Sequence, residues 1–167
     1  MKTLILYDTL TGNTRIICEN LQKSLFADTV QLPVRRKYTR LSAYLSGAAA
    51  ALQGRGRALL PLAEDVSAYG RIVLASPVWA GRPTPAVTEF LRTYDLRGRT
   101  VHGVLCYERD AGIAAERLRQ LIEQAGGRCA SVVRIRRTAA LMERLQADQA
   151  QLLLDPERGV LLPDPIA

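Results

Sequence analysis

Residues 2–14 read KTLILYDTLTGNT, and this stretch decides the fold class. Residues 2–7 form a short apolar run, which is typical of a strand buried in a parallel sheet. A polar turn follows at Asp8–Gly12, and apolar residues then recur at helical spacing, which predicts a helix over 13–25. A strand that enters a helix through a short polar loop is the first unit of an α/β fold.

The same unit recurs along the chain. Further strands are predicted at 29–32, 72–75, 100–107 and 129–135, and further helices at 41–52, 85–94, 114–125 and 141–152. Five alternations predict an α/β fold with a doubly wound, five-stranded parallel sheet and helices on both faces. Right-handed crossovers place every strand-to-helix loop on one edge of the sheet, where ligands of such folds bind. We expect one domain at 1–155 and an irregular C-terminal tail at 156–167, including the residues from Gly159.

Composition narrows the class of protein. A length of 167 residues fits one domain. No apolar run approaches the roughly 20 residues of a membrane span, and the N-terminus lacks the organisation of a signal peptide, so we expect a cytoplasmic protein. Cys18, Cys106 and Cys129 have no metal-ligand spacing and are expected to be buried or half-buried thiols. The net charge of +7 favours anionic partners without identifying one.

The first loop, TLTGNT at 9–14, has the chemistry of a phosphate site. Its three hydroxyls and one amide can donate hydrogen bonds, and its glycine permits a tight turn close to a ligand. The start of the following helix adds free N–H groups and a positive dipole end. The loop lacks the lysine of a P-loop and the glycines of GxGxxG. An ordinary Thr/Asn helix cap is the alternative interpretation.

The second loop, SPVWAGRPTP at 76–85, carries the only tryptophan of the chain. A tryptophan exposed on a proline-braced loop at a ligand edge favours a flat partner that it can cover, such as an isoalloxazine ring. The alternative is that Trp79 packs in the core under the loop.

These two loops resemble those of the flavodoxin family. In that family a T/S-x-T-G-x-T loop after the first strand binds the FMN phosphate, and a P-V-W-x-G loop packs against the flavin. The resemblance covers roughly residues 2–135 and implies the flavodoxin-like strand order 2-1-3-4-5 with FMN as cofactor. It also implies that a peptide beside the flavin N5 turns over on reduction. Ala80–Gly81 is the candidate, because glycine lowers the steric cost, although Gly81 could simply form the turn.

The third loop, CYERDAG at 106–112, departs from the family pattern. In the family this loop contacts the pyrimidine end of the flavin, usually through glycines or a stacking tyrosine. Here Tyr107 could shield the ring, although it lies earlier than a family tyrosine usually does. Glu108 and Asp110 would raise the energy of a reduced flavin anion, and Arg109 would lower it. A solvated loop with local ion pairs is the alternative.

The resemblance implies a defined set of cofactor-binding residues, and no catalytic residue or metal ligand is predicted. The set is Thr9, Leu10, Thr11, Gly12, Asn13, Thr14, Pro77, Val78, Trp79, Ala80, Gly81, Tyr107, Glu108 and Gly112.

Basic residues cluster near the predicted ligand edge. They are Arg35, Arg36 and Lys37 after the second strand, Arg134, Arg136 and Arg137 at the end of the fifth, and Arg82 and Arg109 on the flavin loops. A basic rim around the flavin would suit an acidic partner. Scattered solvated arginines are the alternative.

Two functions remain as the main hypotheses. The first is an FMN-binding redox protein that exchanges electrons with a partner protein, and a basic rim would favour an acidic partner. The second is an FMN-dependent NAD(P)H oxidoreductase that acts on a quinone or another small acceptor. A binding module without redox function is a third hypothesis. Nucleic-acid binding has no basic-aromatic motif in its favour, and the sequence predicts no oligomeric state.

Overall fold

The central sheet has five parallel strands. The computed structural model describes residues 2–36, 38–155 and 159–161. The strands are β1 (Thr3–Tyr7), β2 (Asp28–Gln31), β3 (Arg71–Trp79), β4 (Thr100–Tyr107) and β5 (Arg128–Arg136). They lie side by side in the order β2-β1-β3-β4-β5 and pair in parallel, which confirms the predicted fold class and strand order.

Helices cover both faces of the sheet. They are α1 (Asn13–Leu25), the composite α2 (residues 40–52), α3 (Pro85–Thr93), α4 (Ala114–Gln124) and α5 (Ala139–Gln146). Because side chains alternate along a strand, β1 contributes to two cores. Leu4 and Leu6 belong to the core that holds residues of α3 and α4, whereas Ile5 belongs to the core that holds residues of α1 and α5.

The end of β3 differs from the prediction of a loop at 76–85. The strand continues to Trp79 and pairs antiparallel with Arg82–Pro83, forming a small hairpin that stands on the sheet edge. The Ser76 hydroxyl accepts a hydrogen bond from the backbone N–H of Thr84 at 3.0 Å, which closes the base of the hairpin. Pro77 lies at the last paired position of the parallel ladder, opposite Cys106, and Pro83 lies in the short hairpin strand, so neither proline interrupts the middle of the sheet.

The α2 segment is a helix at the predicted place, but the leucines at the two ends of its apolar stripe are exposed. It begins at Arg40–Ser42, passes through a π turn at Ala43–Gly47 and ends at Ala48–Leu52. Leu41 and Leu52 are 71% and 58% exposed, whereas Gly47 and Ala51 are buried. A π turn changes the helical periodicity, so the stripe read at 3.6 residues per turn does not identify the packed side.

The C-terminal part also departs from the prediction. The predicted helix over 141–152 is wrong beyond Gln146, where α5 ends. The Asn20 side chain instead donates to the Ala150 carbonyl at 3.0 Å and accepts from the Leu152 N–H at 2.6 Å. An antiparallel pair follows, β6 (Leu153–Asp155) with β7 (Gly159–Leu161), so an irregular tail from Gly159 is wrong for 159–161. Residues 156–158 and 162–167 lie outside the described residues, and the domain boundary stays a prediction.

Two further observations concern composition. Cys18 and Cys106 are buried and Cys129 is half-buried, and all three are free thiols, as expected. Within the described ranges, no helix has both the length and the apolar character that crossing a membrane requires.

Candidate functional site

A cavity of about 470 Å³ opens at the carboxyl ends of β1, β3 and β4. It brings all three predicted loops together, because right-handed crossovers place these loops on one edge. Its lining residues are Thr9, Leu10, Thr11, Asn13, Thr14, Ala43, Ala48, Pro77, Val78, Trp79, Ala80, Cys106, Tyr107, Glu108, Arg109, Asp110 and Arg137. Gly12 lines an adjacent cavity, and Gly81 and Gly112 lie among the lining residues of neither.

The first loop leaves the start of α1 open to a ligand. Gly12, at φ 90°, is the N-cap residue, and no side chain caps the helix. The first amides of a helix have no acceptor within it, so an uncapped start is an anion-binding surface. The Thr/Asn side chains bond within the loop instead. Thr9 Oγ1 accepts from the Gly12 N–H at 3.0 Å, and Thr11 Oγ1 accepts from Asn13 Nδ2 at 2.9 Å.

Thr14 and Cys106 form a buried wall between the first loop and β4. Thr14 is 1% exposed, and its hydroxyl bonds to the Cys106 thiol. Burial raises the pKa of Cys106 to about 11, although Arg137 and the Thr14 hydroxyl oppose the shift. This wall of the cavity is therefore uncharged at neutral pH.

The turn of the β3 hairpin is backed by the third loop. Its two central residues, Ala80 and Gly81, have φ values of 49° and 71°, as a type I′ turn requires. A left-handed conformation costs an alanine roughly 1–2 kcal/mol. A Cβ on Gly112 would lie 2.7 Å from the Gly81 Cα, so only a glycine permits this approach. Gly81 and Gly112 thus set the distance between two loops of the site.

Trp79 is half-buried and lies between two cavities, because it lines both of them. One side packs against Tyr38 in an edge-to-face pair, with ring centroids 5.3 Å apart. Another side meets α2, where a Cβ on Gly47 would come within 2.7 Å of Trp79 Cζ3. The Arg57 guanidinium lies 3.5 Å from the centroid of the Tyr38 ring. Tyr38 and α2 therefore hold the Trp79 ring in place, and part of its surface lines the two cavities.

Ion pairs neutralise part of the charged third loop. Glu108 pairs with Arg137, whose backbone N–H donates to the Tyr107 carbonyl at 2.6 Å. Asp110 accepts a hydrogen bond from the Gly112 N–H at 2.9 Å. Glu108 and Asp110 are exposed, as a solvated loop would be, whereas Tyr107 is half-buried and faces the cavity. The negative charge of Glu108 is therefore largely balanced at the cavity wall.

A second cavity of about 330 Å³ lies beside the first, on the β2 side of Trp79. It is lined by Asp8, Thr9, Leu10, Thr11, Gly12, Arg15, Gln31, Val34, Tyr38, Arg57, Trp79 and Ala86. Asp8 is 9% exposed, and burial raises the pKa of its carboxyl against the opposing effects of Thr84, the Thr9 N–H and Arg57.

Comparison with known proteins identifies the architecture. No family model matches the sequence, and no curated protein matches it. Among solved structures, a candidate flavoprotein from Bacteroides eggerthii DSM 20697 is 18% identical, with 87% of this chain and 94% of that chain covered and a TM-score of 0.71. A flavoprotein in complex with FMN from Lactobacillus acidophilus NCFM is 18% identical, with 89% and 97% covered and a TM-score of 0.65. Oxidised Flavodoxin 2 from Bacillus cereus is 17% identical, with 89% and 94% covered and a TM-score of 0.54.

This chain has a flavodoxin-like fold. The architecture predicted from the alternating strands and helices, and from the two loop motifs, is confirmed. At these identities the likeness concerns the fold, so the role of each residue rests on the geometry described above.

Arginines line both cavities of this flavodoxin-like fold. Arg109 and Arg137 line the larger cavity, and Arg15 and Arg57 line the smaller one. The remaining basic residues of the predicted rim lie outside both linings: Arg35, Arg36, Arg82, Arg134 and Arg136. Lys37 lies outside the described residues. A basic rim therefore remains a prediction.

Several lining residues were not in the predicted set. Arg137 follows β5 and Cys106 ends β4, so their position at the carboxyl edge was a usable signal. Ala43 and Ala48 come from α2, and no local pattern indicates that this helix turns towards the site.

Proposed function

We propose that this chain binds FMN in the larger cavity and transfers electrons through it. The proposal rests on three features of the structure that meet at one cavity. The uncapped start of α1, the only tryptophan and Tyr107 all face one cavity of about 470 Å³. A phosphate site and two aromatic side chains in one cavity match the two ends of a flavin mononucleotide.

The phosphate would lie at 9–14. Thr9 and Thr11 each accept a hydrogen bond inside the loop through the hydroxyl oxygen, which leaves each O–H group able to donate to a phosphate. The first amides of α1 and its dipole add donors and positive potential. The internal hydrogen bonds order the loop before binding, which lowers the entropic cost of association.

The ring would lie between Trp79 and Tyr107. Both side chains are half-buried and face the cavity, so each can cover a flat aromatic ligand. Flavin, when bound, supplies one-electron and two-electron transfer at its ring. Turning over the Ala80–Gly81 peptide would change ψ of Ala80 and φ of Gly81, and a glycine tolerates either sign of φ. The FMN complex among the structural neighbours supports FMN as the bound ligand.

The enzyme hypothesis has one observation in its favour. Ala43 and Ala48 of α2 line the cavity, so α2 narrows the approach to the proposed ring position. A narrowed approach suits a small acceptor such as a quinone better than the surface of a protein. Turnover of NAD(P)H with quinones would identify an oxidoreductase. A protein that carries flavin without such turnover would match a carrier.

Titration of the apoprotein with FMN and riboflavin tests the cofactor proposal. We expect Thr11→Val to weaken FMN by roughly tenfold to a hundredfold, because a lost hydrogen bond to a charged group costs about 1.5–3 kcal/mol. Riboflavin, which lacks the phosphate, should be little affected. Thr93→Val, at an exposed position at the end of α3, is the matched control. Equal weakening of both ligands would show that the loop is not the phosphate site, and a protein without FMN affinity would reject the proposal.

A further inference from the structure

The second cavity shares the phosphate loop with the proposed FMN site, but Gln31, Tyr38 and Arg57 line only the second cavity. It lies on the other side of Trp79 from the larger cavity and shares Thr9, Leu10 and Thr11 with it. Its remaining walls come from the start of α1, the end of β2 and the segments that contain Tyr38 and Arg57. Its volume of about 330 Å³ lies at the lower end of the range for small-molecule sites.

Arg57 is held rigidly at this cavity. Its backbone N–H donates to the Pro85 carbonyl at 3.1 Å, and its Nε donates to the Arg36 carbonyl at 2.6 Å. The guanidinium plane rests on the Tyr38 ring, 3.5 Å from the ring centroid. Residues 33–36 and 58–60 run antiparallel beside it, with the Leu60 N–H donating to the Pro33 carbonyl at 2.7 Å. A guanidinium held in place before binding loses little entropy when it contacts an anion.

The charge of the cavity is positive. Arg57 and Arg15 outnumber Asp8 among the lining residues. The pair of Arg15 with Glu19 spans 3.6 Å between exposed side chains, so it holds Arg15 only weakly. Burial raises the pKa of the Asp8 carboxyl, and its Oδ1 already accepts a hydrogen bond from the Thr9 N–H. The Gln31 side chain offers an amide donor.

Flat and apolar surfaces complete the site. The rings of Trp79 and Tyr38 form one side, and Leu10, Val34 and Ala86 contribute apolar surface. We propose that this cavity binds a small planar organic anion, with its carboxylate or phosphate on Arg57 and its ring against Trp79. Arg57 and Tyr38 line this cavity and not the larger one, so the proposed site is distinct from the proposed flavin position.

Calorimetric titration of the FMN-loaded protein tests this site, because FMN then occupies the phosphate loop. The probes are benzoate, phenyl phosphate, neutral benzamide and inorganic phosphate. We expect benzoate or phenyl phosphate to bind at least about tenfold more tightly than benzamide, since only the charged ligands can form an ion pair with the arginine. Whichever of the two binds more tightly identifies the anionic group, and weak binding of inorganic phosphate would show that the ring contributes.

Two variants locate the binding. Arg57→Gln should weaken the tighter organic anion about tenfold or more and leave FMN affinity unchanged. Arg55→Gln, an exposed neighbour outside both cavities, should change neither affinity. Equal binding of benzamide, or full retention of anion binding in Arg57→Gln, would overturn the proposal. Loss of FMN affinity in Arg57→Gln would also overturn it, because the cavity would then belong to the cofactor.

If the flavin proposal fails, the second site can still be tested by itself. If the purified protein has no FMN affinity, the anion titration is performed on the protein as isolated. The comparison of Arg57→Gln with Arg55→Gln then still decides whether this second site exists.

Discussion

Replacing Gly47 with alanine would test whether α2 positions Trp79. Gly47 has a φ of −69°, which is ordinary helical backbone, so alanine brings no conformational strain. The added Cβ would lie 2.7 Å from Trp79 Cζ3 and 3.2 Å from Cε3. To restore an ordinary contact of 3.4 Å, the indole must retreat by about 0.7 Å at its nearest atom. Trp79 borders two cavities, so it has room to move.

The expected effect separates stability from binding. Alanine favours a helix over glycine by roughly 0.5–1 kcal/mol, and overpacking costs about 1–3 kcal/mol when the neighbour cannot move. Because the indole can move, we expect the free energy of unfolding to stay within about 1 kcal/mol of wild type. A displaced indole should lose the stacking contribution of about 0.5–1.5 kcal/mol, which weakens FMN about twofold to twelvefold.

Fluorescence titration with FMN and thermal unfolding would measure the two effects. Trp79→Phe provides the second arm of a double-mutant cycle, because its smaller ring leaves space for the new methyl group. Gly47→Ala should then cost no further FMN affinity in the Trp79→Phe background. Equal losses in both backgrounds would refute the reasoning, since the effect would not pass through the indole. A large loss of stability would refute it as well.

Three further outcomes are expected. Trp79→Ala should weaken FMN and raise the fluorescence of the bound flavin, and unchanged affinity with unchanged quenching would mean that Trp79 does not cover the ring. Asp8→Asn should stabilise the protein more at pH 7 than at acid pH. Burial raises the Asp8 pKa, so its contribution to stability is present below the usual value of 3.8 and is lost as pH rises through the higher folded-state pKa. Thermal unfolding of both proteins over a pH series would show this, and a constant difference would contradict it. Reduction by an anionic donor should slow with salt, because screening acts over about 8–10 Å, and changing Arg35, Arg36, Arg136 and Arg137 to glutamate should reverse the preference for anionic over cationic donors. Stopped-flow kinetics would measure both rates, and identical responses of the two kinds of donor would argue against a basic rim.

Local pattern was sufficient for most of the sheet. The strand order was implied by the resemblance of two loops to the flavodoxin family. The strand at 100–107 has the predicted bounds, and alternating elements with right-handed crossovers predict a parallel sheet. The place of the three loops at one edge follows for the same reason. These features depend on periodicity and chirality, which act over a few residues and can be read along the chain.

The pattern of apolar residues was a poorer guide to the packing of α2 and to the structure of the C-terminal segment. A stripe with Leu41 and Leu52 looks like a packing face at regular helical spacing, but the π turn at Ala43–Gly47 changes which side packs. Leu152 continues a helical spacing, yet the helix ends at Gln146 and the Leu152 N–H donates to the Asn20 side chain instead. In the C-terminal segment, a contact between distant parts of the chain therefore overrides the local pattern.

By itself, the sequence determined the fold class and the three loops that meet at the cavity, and the strand order came from the resemblance of two loops to the flavodoxin family. Only the tertiary structure decided how the walls of the site are built. Gly47 against Trp79, Arg57 on Tyr38 and Arg137 paired with Glu108 each join segments that follow different strands or helices. Such pairs leave no periodic trace in the sequence, because their partners are selected by the packing of whole elements and not by neighbouring residues.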